Sequence, residues 1–150
     1  MQIKPIHPNY KNGTWKLPTY KTDGSAGLDL IAAIESNYII YADEKQSTII
    51  PLGLAIWIDD PRYMLIFVPK SGLGCKKGLK LGNSIGIVDS DYQGELKACV
   101  VNRGEQNIVI KPGDFVCQGI FVPVIQPILH VVDEFTSNTI RGSDGGINRN

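Results

Sequence analysis

The chain has 150 residues and a mass of 16.4 kDa, the size of one ordinary domain that buries about 70% of its unfolded surface. Its 15 Lys and Arg balance its 15 Asp and Glu, which gives no bulk attraction to nucleic acid or to anionic lipid. A hydrophobic share of 43% excludes disorder, and no apolar run reaches the roughly 18 residues of a membrane span.

The segment from Met1 to Tyr10 is polar and broken by proline, unlike a signal peptide. Short apolar segments closed by turn residues then follow one another. Residues 38–42, 47–51 and 52–58 read as strands, with a turn at Asp59, Asp60 and Pro61. Residues 63–68 form the next strand, ending at Pro69, and residues 95–102 and 106–110 follow, separated by Arg103 and Gly104. Lys111, Pro112, Gly113 and Asp114 signal a turn before a last strand over 115–124. The only helical pattern is one turn over residues 71–76, with Ser71 as its candidate N-cap. Ile (20) and Val (10) abound, Ala is scarce (6), and Gly (16) and Pro (9) punctuate the chain. This is an all-β composition, and strands at such spacing predict a sandwich, barrel or jelly roll. Residues 1–135 are expected to form the β domain. Residues 136–150, polar and rich in glycine, are expected to form a flexible C-terminal arm.

Cys75, Cys99 and Cys117 are widely spaced and odd in number. Small buried hydrophobes in a reducing cytoplasm are the expected reading, rather than disulfides or a zinc ribbon. The histidines, His7 and His130, lie near no cysteine or carboxylate cluster in the sequence.

Five segments carry more polar and glycine residues than plain turns need. In the first, Asp29 stands between Leu28 and Leu30, which by strand alternation share the opposite face. Asp29 either caps a turn after Gly27 or serves as a hard oxygen ligand, direct or through water, for Mg²⁺. In the second, Lys70, Ser71 and Gly72 follow Pro69 and form either a phosphate-holding turn or a solvated basic one. The third runs over residues 82–95. Ile85, Ile87 and Asp89 alternate onto one face there, which makes Asp89 a candidate general base in a pocket wall. In the fourth, Gln118 interrupts an apolar strand, so its amide needs a structural or a ligand partner. In the fifth, Arg141 precedes a glycine-rich run ending at Ile147, either a disordered end or a loop that closes over an anion.

In this order, from about residue 22 to residue 147, the five segments resemble the five motifs of the trimeric deoxyuridine triphosphatase (dUTPase) family. The resemblance is carried by Ser25-Ala26-Gly27-Leu28-Asp29-Leu30, by Ser71-Gly72-Leu73-Gly74 and by Gly86-Ile87-Val88-Asp89-Ser90-Asp91-Tyr92-Gln93-Gly94. It implies a jelly-roll homotrimer with active sites between subunits, hydrolysing dUTP to dUMP and pyrophosphate with Mg²⁺. It implies Asp89 as the base for the attacking water, and Asn83, the backbone of Gly86, Ile87 and Val88, and nearby Lys97 as readers of uracil. Tyr92 would pack under the deoxyribose, Lys70, Ser71, Gly72 and Gln118 would meet phosphates, and Asp29 would reach the metal through water. Arg141 and Ile147 would belong to the closing arm. The chain departs from the family pattern at Lys70 and at Phe115, where arginine is usual. It departs again at the extra Asp144 and at Ile147, which replaces a stacking phenylalanine. Two other readings stay open: a non-catalytic regulatory protein on the same scaffold, kept alive by the altered arm, and, less favoured, a dCTP deaminase.

Overall fold

The computed structural model describes residues 1–42 and 46–137. Among these, eleven strands and two short helices follow the order β1 (Gln2–Pro5), α1 (Pro8–Lys11), β2 (Leu28–Ile31), β3 (Tyr38–Ile40), β4 (Thr48–Pro51), β5 (Leu54–Trp57), β6 (Tyr63–Pro69), α2 (Ser71–Lys76), β7 (Leu79–Leu81), β8 (Gly86–Val88), β9 (Lys97–Asn102), β10 (Ile108–Ile110) and β11 (Phe115–Pro123). A four-stranded sheet has the order β2-β11-β6-β8 and a three-stranded sheet the order β4-β9-β7. Two further pairs, β1 with β5 and β3 with β10, complete the wall. Each described pairing is antiparallel. This is the all-β architecture expected from the composition, in the jelly-roll form that the resemblance implies.

The alternation of branched residues builds the core. Leu28 and Leu30 point inward from β2, Leu65 and Phe67 from β6, and Ala98 and Val100 from β9, all buried. All but Leu28 share one core cluster with Ile50, Leu52, Leu54 and Leu96, of which none is more than 1% exposed. Burying a side chain of this size contributes about 1.5–3 kcal/mol.

Two local features differ from the expectation of at most one helix with a serine cap. The first is α1, a second helical turn that starts with Pro8. The Nδ1 of His7 accepts a hydrogen bond from the Asn9 amide at 3.2 Å and so caps it. The second is the start of α2, where Lys70 occupies the N-cap position without a side-chain capping bond and Ser71 is the first helical residue. Lys70 there precedes the helix in extended conformation, because β6 runs straight into it through Pro69. The cysteines also divide. Cys117 is buried, and burial pushes its thiol up to about 12; Cys99 is partly buried; Cys75 on α2 is exposed, contrary to the expectation of a buried hydrophobe. Among the described residues no helix is long and apolar enough to cross a membrane.

Asn102, at the end of β9, is 2% exposed and is the buried polar residue of the core. Its Nδ2 donates to the carbonyls of Ile40 at 3.0 Å and Gln106 at 2.8 Å, and its Oδ1 accepts from the Gly104 amide at 2.8 Å. One amide thus joins β3 to the turn between β9 and β10. Asn102→Ala would leave these backbone groups without a partner and is expected to lower stability by about 2–4 kcal/mol, read as a shift in the urea midpoint.

Candidate functional site

The described side chains with candidate roles fall into two groups on the surface. The first surrounds a pocket of about 210 Å³ at the open end of β8. Phe67, Val88 and Leu96 lie buried at its base, while Asn83, Ile87, Asp89, Tyr92 and Lys97 form its exposed rim. The connection from β7 to β8, which carries Asn83 from one sheet to the other, turns tightly: Ser84 takes a positive φ of 65° and the Ile85 amide donates to the Asn83 carbonyl at 2.7 Å. Gly86 follows because β8 must lie flat on β6. A Cβ at Gly86 would sit 2.8 Å from the ring of Phe67, its partner in the register.

Beyond β8 the chain turns back at Asp89, where the Tyr92 amide donates to the Asp89 carbonyl at 3.2 Å. The Tyr92 ring folds over Gly94, where a Cβ would collide with its Cζ at 2.6 Å, and its hydroxyl donates to the Glu95 carbonyl at 3.0 Å. Gly94 thus permits one fixed placement of the Tyr92 ring. Glu95, a second carboxylate in the pocket wall that the sequence reading passed over, is tied to the scaffold by accepting from the Gly53 amide at 3.2 Å.

Ile85, Ile87 and Asp89 do share a face, as their alternation predicts. That face is the outer one: Ile85 is 51% and Ile87 63% exposed, and Asp89 is exposed with them, while Gly86 and Val88 point inward. Within a single chain Asp89 therefore rims the pocket and stands in solvent, rather than lying partly dry in its wall.

The second group joins three distant chain segments. Asp29 on β2 lies opposite Gln118 on β11 in the sheet register. Its Oδ1 accepts from Gln118 Nε2 at 3.0 Å and from Lys70 Nζ at 2.7 Å. Asp29 is thus a mid-strand residue and not a turn cap, and Gln118 has a carboxylate as its partner. Ser71 and Gly72 lie exposed at the start of α2 just beyond Lys70. Burial raises the Asp29 pKa, but hydrogen bonds from Lys70 and Gln118 and the charges of Lys70 and Lys21 outweigh it. The carboxyl ends below its usual range.

None of Asp29, Lys70, Ser71 or Gln118 lines the pocket of Asn83, Asp89 and Tyr92. One chain thus carries two separate clusters, a partly apolar pocket at the end of β8 and a hydrogen-bonded charged triangle. Arg141 and Ile147 lie outside the described residues. Among the described residues no three His, Cys, Asp or Glu side chains gather as a metal cage.

The dUTPase family model matches residues 13–148. The chain belongs to the dUTPase family. It is 46% identical over 132 residues to the deoxyuridine 5'-triphosphate nucleotidohydrolase of Legionella pneumophila (strain Paris), covering 88% of this chain and 85% of that one. Its fold matches the dUTPase of Staphylococcus bacteriophage 80alpha, solved with dUPNHPP, at a TM-score of 0.77 and 22% identity over 96% of this chain and 94% of the other. It also matches a mutant of the dUTPase from phage phi11 of S. aureus, described as revealing the coordination of a structural Mg(II) ion. There the TM-score is 0.75 and the identity 21%, over 89% of this chain and 97% of that one.

The lowered Asp29 pKa has a signed consequence. Since the native value lies below the unfolded value of about 3.9, ionised Asp29 stabilises the fold fully above about pH 4. That contribution is lost as pH falls through the native pKa. Asp29→Asn is expected to flatten the acid limb of a stability–pH profile below about pH 4, read by urea denaturation at several pH values; a profile parallel to wild type contradicts the assignment.

Proposed function

We propose that this dUTPase family member hydrolyses dUTP to dUMP and pyrophosphate in a homotrimer, with each active site completed across a protomer boundary. The observation that carries the reading is the pocket lined by Asn83, the β8 backbone, Asp89, Tyr92 and Lys97.

The base would be read at the edge of a sheet. Among the described residues β8 pairs only with β6, so its outer backbone N–H and C=O groups have no sheet partner. A uracil ring presents a donor between two acceptors and matches such an edge, as an added strand would. The Asn83 amide at the rim supplies further donors and an acceptor. Tyr92, fixed over Gly94, offers the flat face of its ring to the sugar and penalises a 2′-hydroxyl by steric contact.

In the chemical step, a water aligned with the α-phosphorus gives its proton to the Asp89 carboxylate as its oxygen forms the new P–O bond. The bond from the α-phosphorus to the oxygen bridging toward the β-phosphorus breaks, and that oxygen leaves with pyrophosphate. Asp89 is exposed within one chain, so a neighbouring protomer and the nucleotide itself would have to exclude bulk water around it. Lys70, Ser71, Gly72 and Gln118 would hold the phosphates.

Mg²⁺ fits the donors present. It retains much of its water and takes one or two carboxylates together with substrate phosphates. The second group supplies one carboxylate, Asp29, whose Oδ2 has no hydrogen-bond partner among the described residues while Oδ1 is held by Lys70 and Gln118. When bound, the ion offsets charge on the departing pyrophosphate.

Residues 136–150 are proposed as the closing arm, with Arg141 and Ile147 reaching the nucleotide. The trimer draws support from the segment after β11. Ile125, Ile128, Leu129, Val131 and Phe135 stand almost fully exposed, an apolar strap that needs a cover, and a second copy of the chain offers one by symmetry. The free cysteines suit a cytoplasmic location.

Pyrophosphate release from dUTP in the presence of Mg²⁺ tests the activity; a trimer that binds dUTP without turnover would favour the regulatory reading instead. Asp89→Asn is expected to leave dUTP binding nearly intact and to lower kcat by about 10²- to 10⁴-fold, measured in the same assay. Tyr92→Ala is expected to raise the kcat/KM of UTP relative to dUTP by about tenfold or more. An unchanged ratio would contradict the steric role.

A further inference from the structure

The charges around Asp29 do not favour a polyphosphate as they stand. Lys70 is the residue that follows β6 toward the phosphate turn, yet its ammonium is committed to Asp29 at 2.7 Å, and the pair sums to zero. A triphosphate carrying about four negative charges needs further positive charge within a Debye length, about 8–10 Å. Lys77 and Asp114 line a pocket with Lys70 and Phe115 and offset each other in charge, and a further cation reaches the same ring. The Nζ of Lys21 lies 5.7 Å from the centroid of the Phe115 ring, over which Lys70 Nζ also lies, at 4.8 Å. Lys21 is exposed and makes no ion pair among the described residues.

The ring is there because of a backbone irregularity. Along β11, Phe115 pairs with Ile31 and Cys117 with Leu30, so two steps on β11 match one on β2. This bulge turns both Val116 and Cys117 into the core, where they are 2% and 0% exposed. It also reverses the alternation, so that Phe115 emerges on the face of Gln118 and Asp29 instead of the face opposite. A ring that would otherwise be directed to the other side of the sheet is left 41% exposed beneath two ammonium groups. Cation–π attraction holds such groups near the ring face without neutralising them, as a carboxylate would.

We propose that Lys21 is a further phosphate-binding residue, and that Phe115 is a positioning residue that holds Lys21 and Lys70 on the Asp29 face of the sheet. The proposal rests on the dUTP reading above and adds to it the source of net positive charge in the phosphate half-site. Lys21 reaches the site from the loop before β2, so it can follow the β- and γ-phosphates when the nucleotide arrives. The ring keeps its ammonium nearby in the free protein.

The test uses the full chain and two ligands that differ in phosphate number: dUPNHPP with Mg²⁺, and dUMP, each titrated by calorimetry. Lys21→Gln is expected to weaken dUPNHPP about 5- to 20-fold, as for loss of one charge-assisted contact, while changing dUMP less than about twofold. In steady state it should raise KM for dUTP by a larger factor than it lowers kcat. Phe115→Leu should reproduce the loss, Phe115→Tyr should restore binding, and Lys21→Gln should cost little more once Phe115 is Leu.

Unchanged dUPNHPP affinity in Lys21→Gln, or an equal loss for dUMP, overturns the role of Lys21. An undiminished effect of Lys21→Gln in the Phe115→Leu background overturns that of Phe115. Wild-type protein that binds dUPNHPP but does not turn over dUTP refutes the hydrolase reading alone, and the titrations still decide Lys21.

Discussion

The ion pair between Asp29 and Lys70 holds the functional surface together. It joins β2 to the junction of β6 and α2, and Gln118 on β11 closes the triangle from the strand between them. Asp29 is only 11% exposed at its side chain, so removing either donor would leave a largely desolvated carboxylate short of partners. The arrangement is therefore cooperative. The strand register sets Asp29 opposite Gln118, Pro69 ends β6 so that Lys70 can reach across, and the carboxylate fixes both donors against one wall of the barrel. The proposed phosphate site is built on an interaction that also contributes to folding.

The pocket around Asp89 is organised on a different principle. Its precision comes from close backbone approach: Gly86 lets β8 lie against Phe67, and Gly94 lets the Tyr92 ring fold back against the chain. Side chains there are mostly exposed and weakly tethered to one another, apart from the Tyr92 hydroxyl and the Glu95 carboxylate, which both bond to backbone. Shape and free backbone groups suit a flat heterocycle, whereas the triangle, whose ion pair is neutral, is proposed to take anions with Lys21 beside it. The division of labour follows from what each local fold can offer.

Much of this was legible in the sequence, and the rest was not for identifiable reasons. Strands announced themselves through branched residues between turn formers, and β3, β4, β5, β6, β9, β10 and β11 lie within or close to the predicted segments. β1 and β7 escaped because they offer little of the branched-residue signal, one isoleucine in β1 and none in β7. The alternation of Ile85, Ile87 and Asp89 was read correctly as one face, but periodicity alone cannot say which face is buried; the partner strand decides it. Asp29 looked out of place between leucines, and its partners came from 41 and 89 residues away, beyond any local signal. The bulge that redirects Phe115 has no glycine to mark it and could be found only in the register.

The unpaired edge of β8 carries a hazard as well as an opportunity. Open strand edges invite other chains to add to them, which is how sheet proteins begin to clump. Here the exposed ladder is three residues long, too short for a foreign strand to gain a durable foothold yet wide enough for a single heterocycle. Brevity lets the molecule keep this edge, proposed as its reader of the base and unpaired among the described residues, open to water while discouraging the self-association that a longer one would promote.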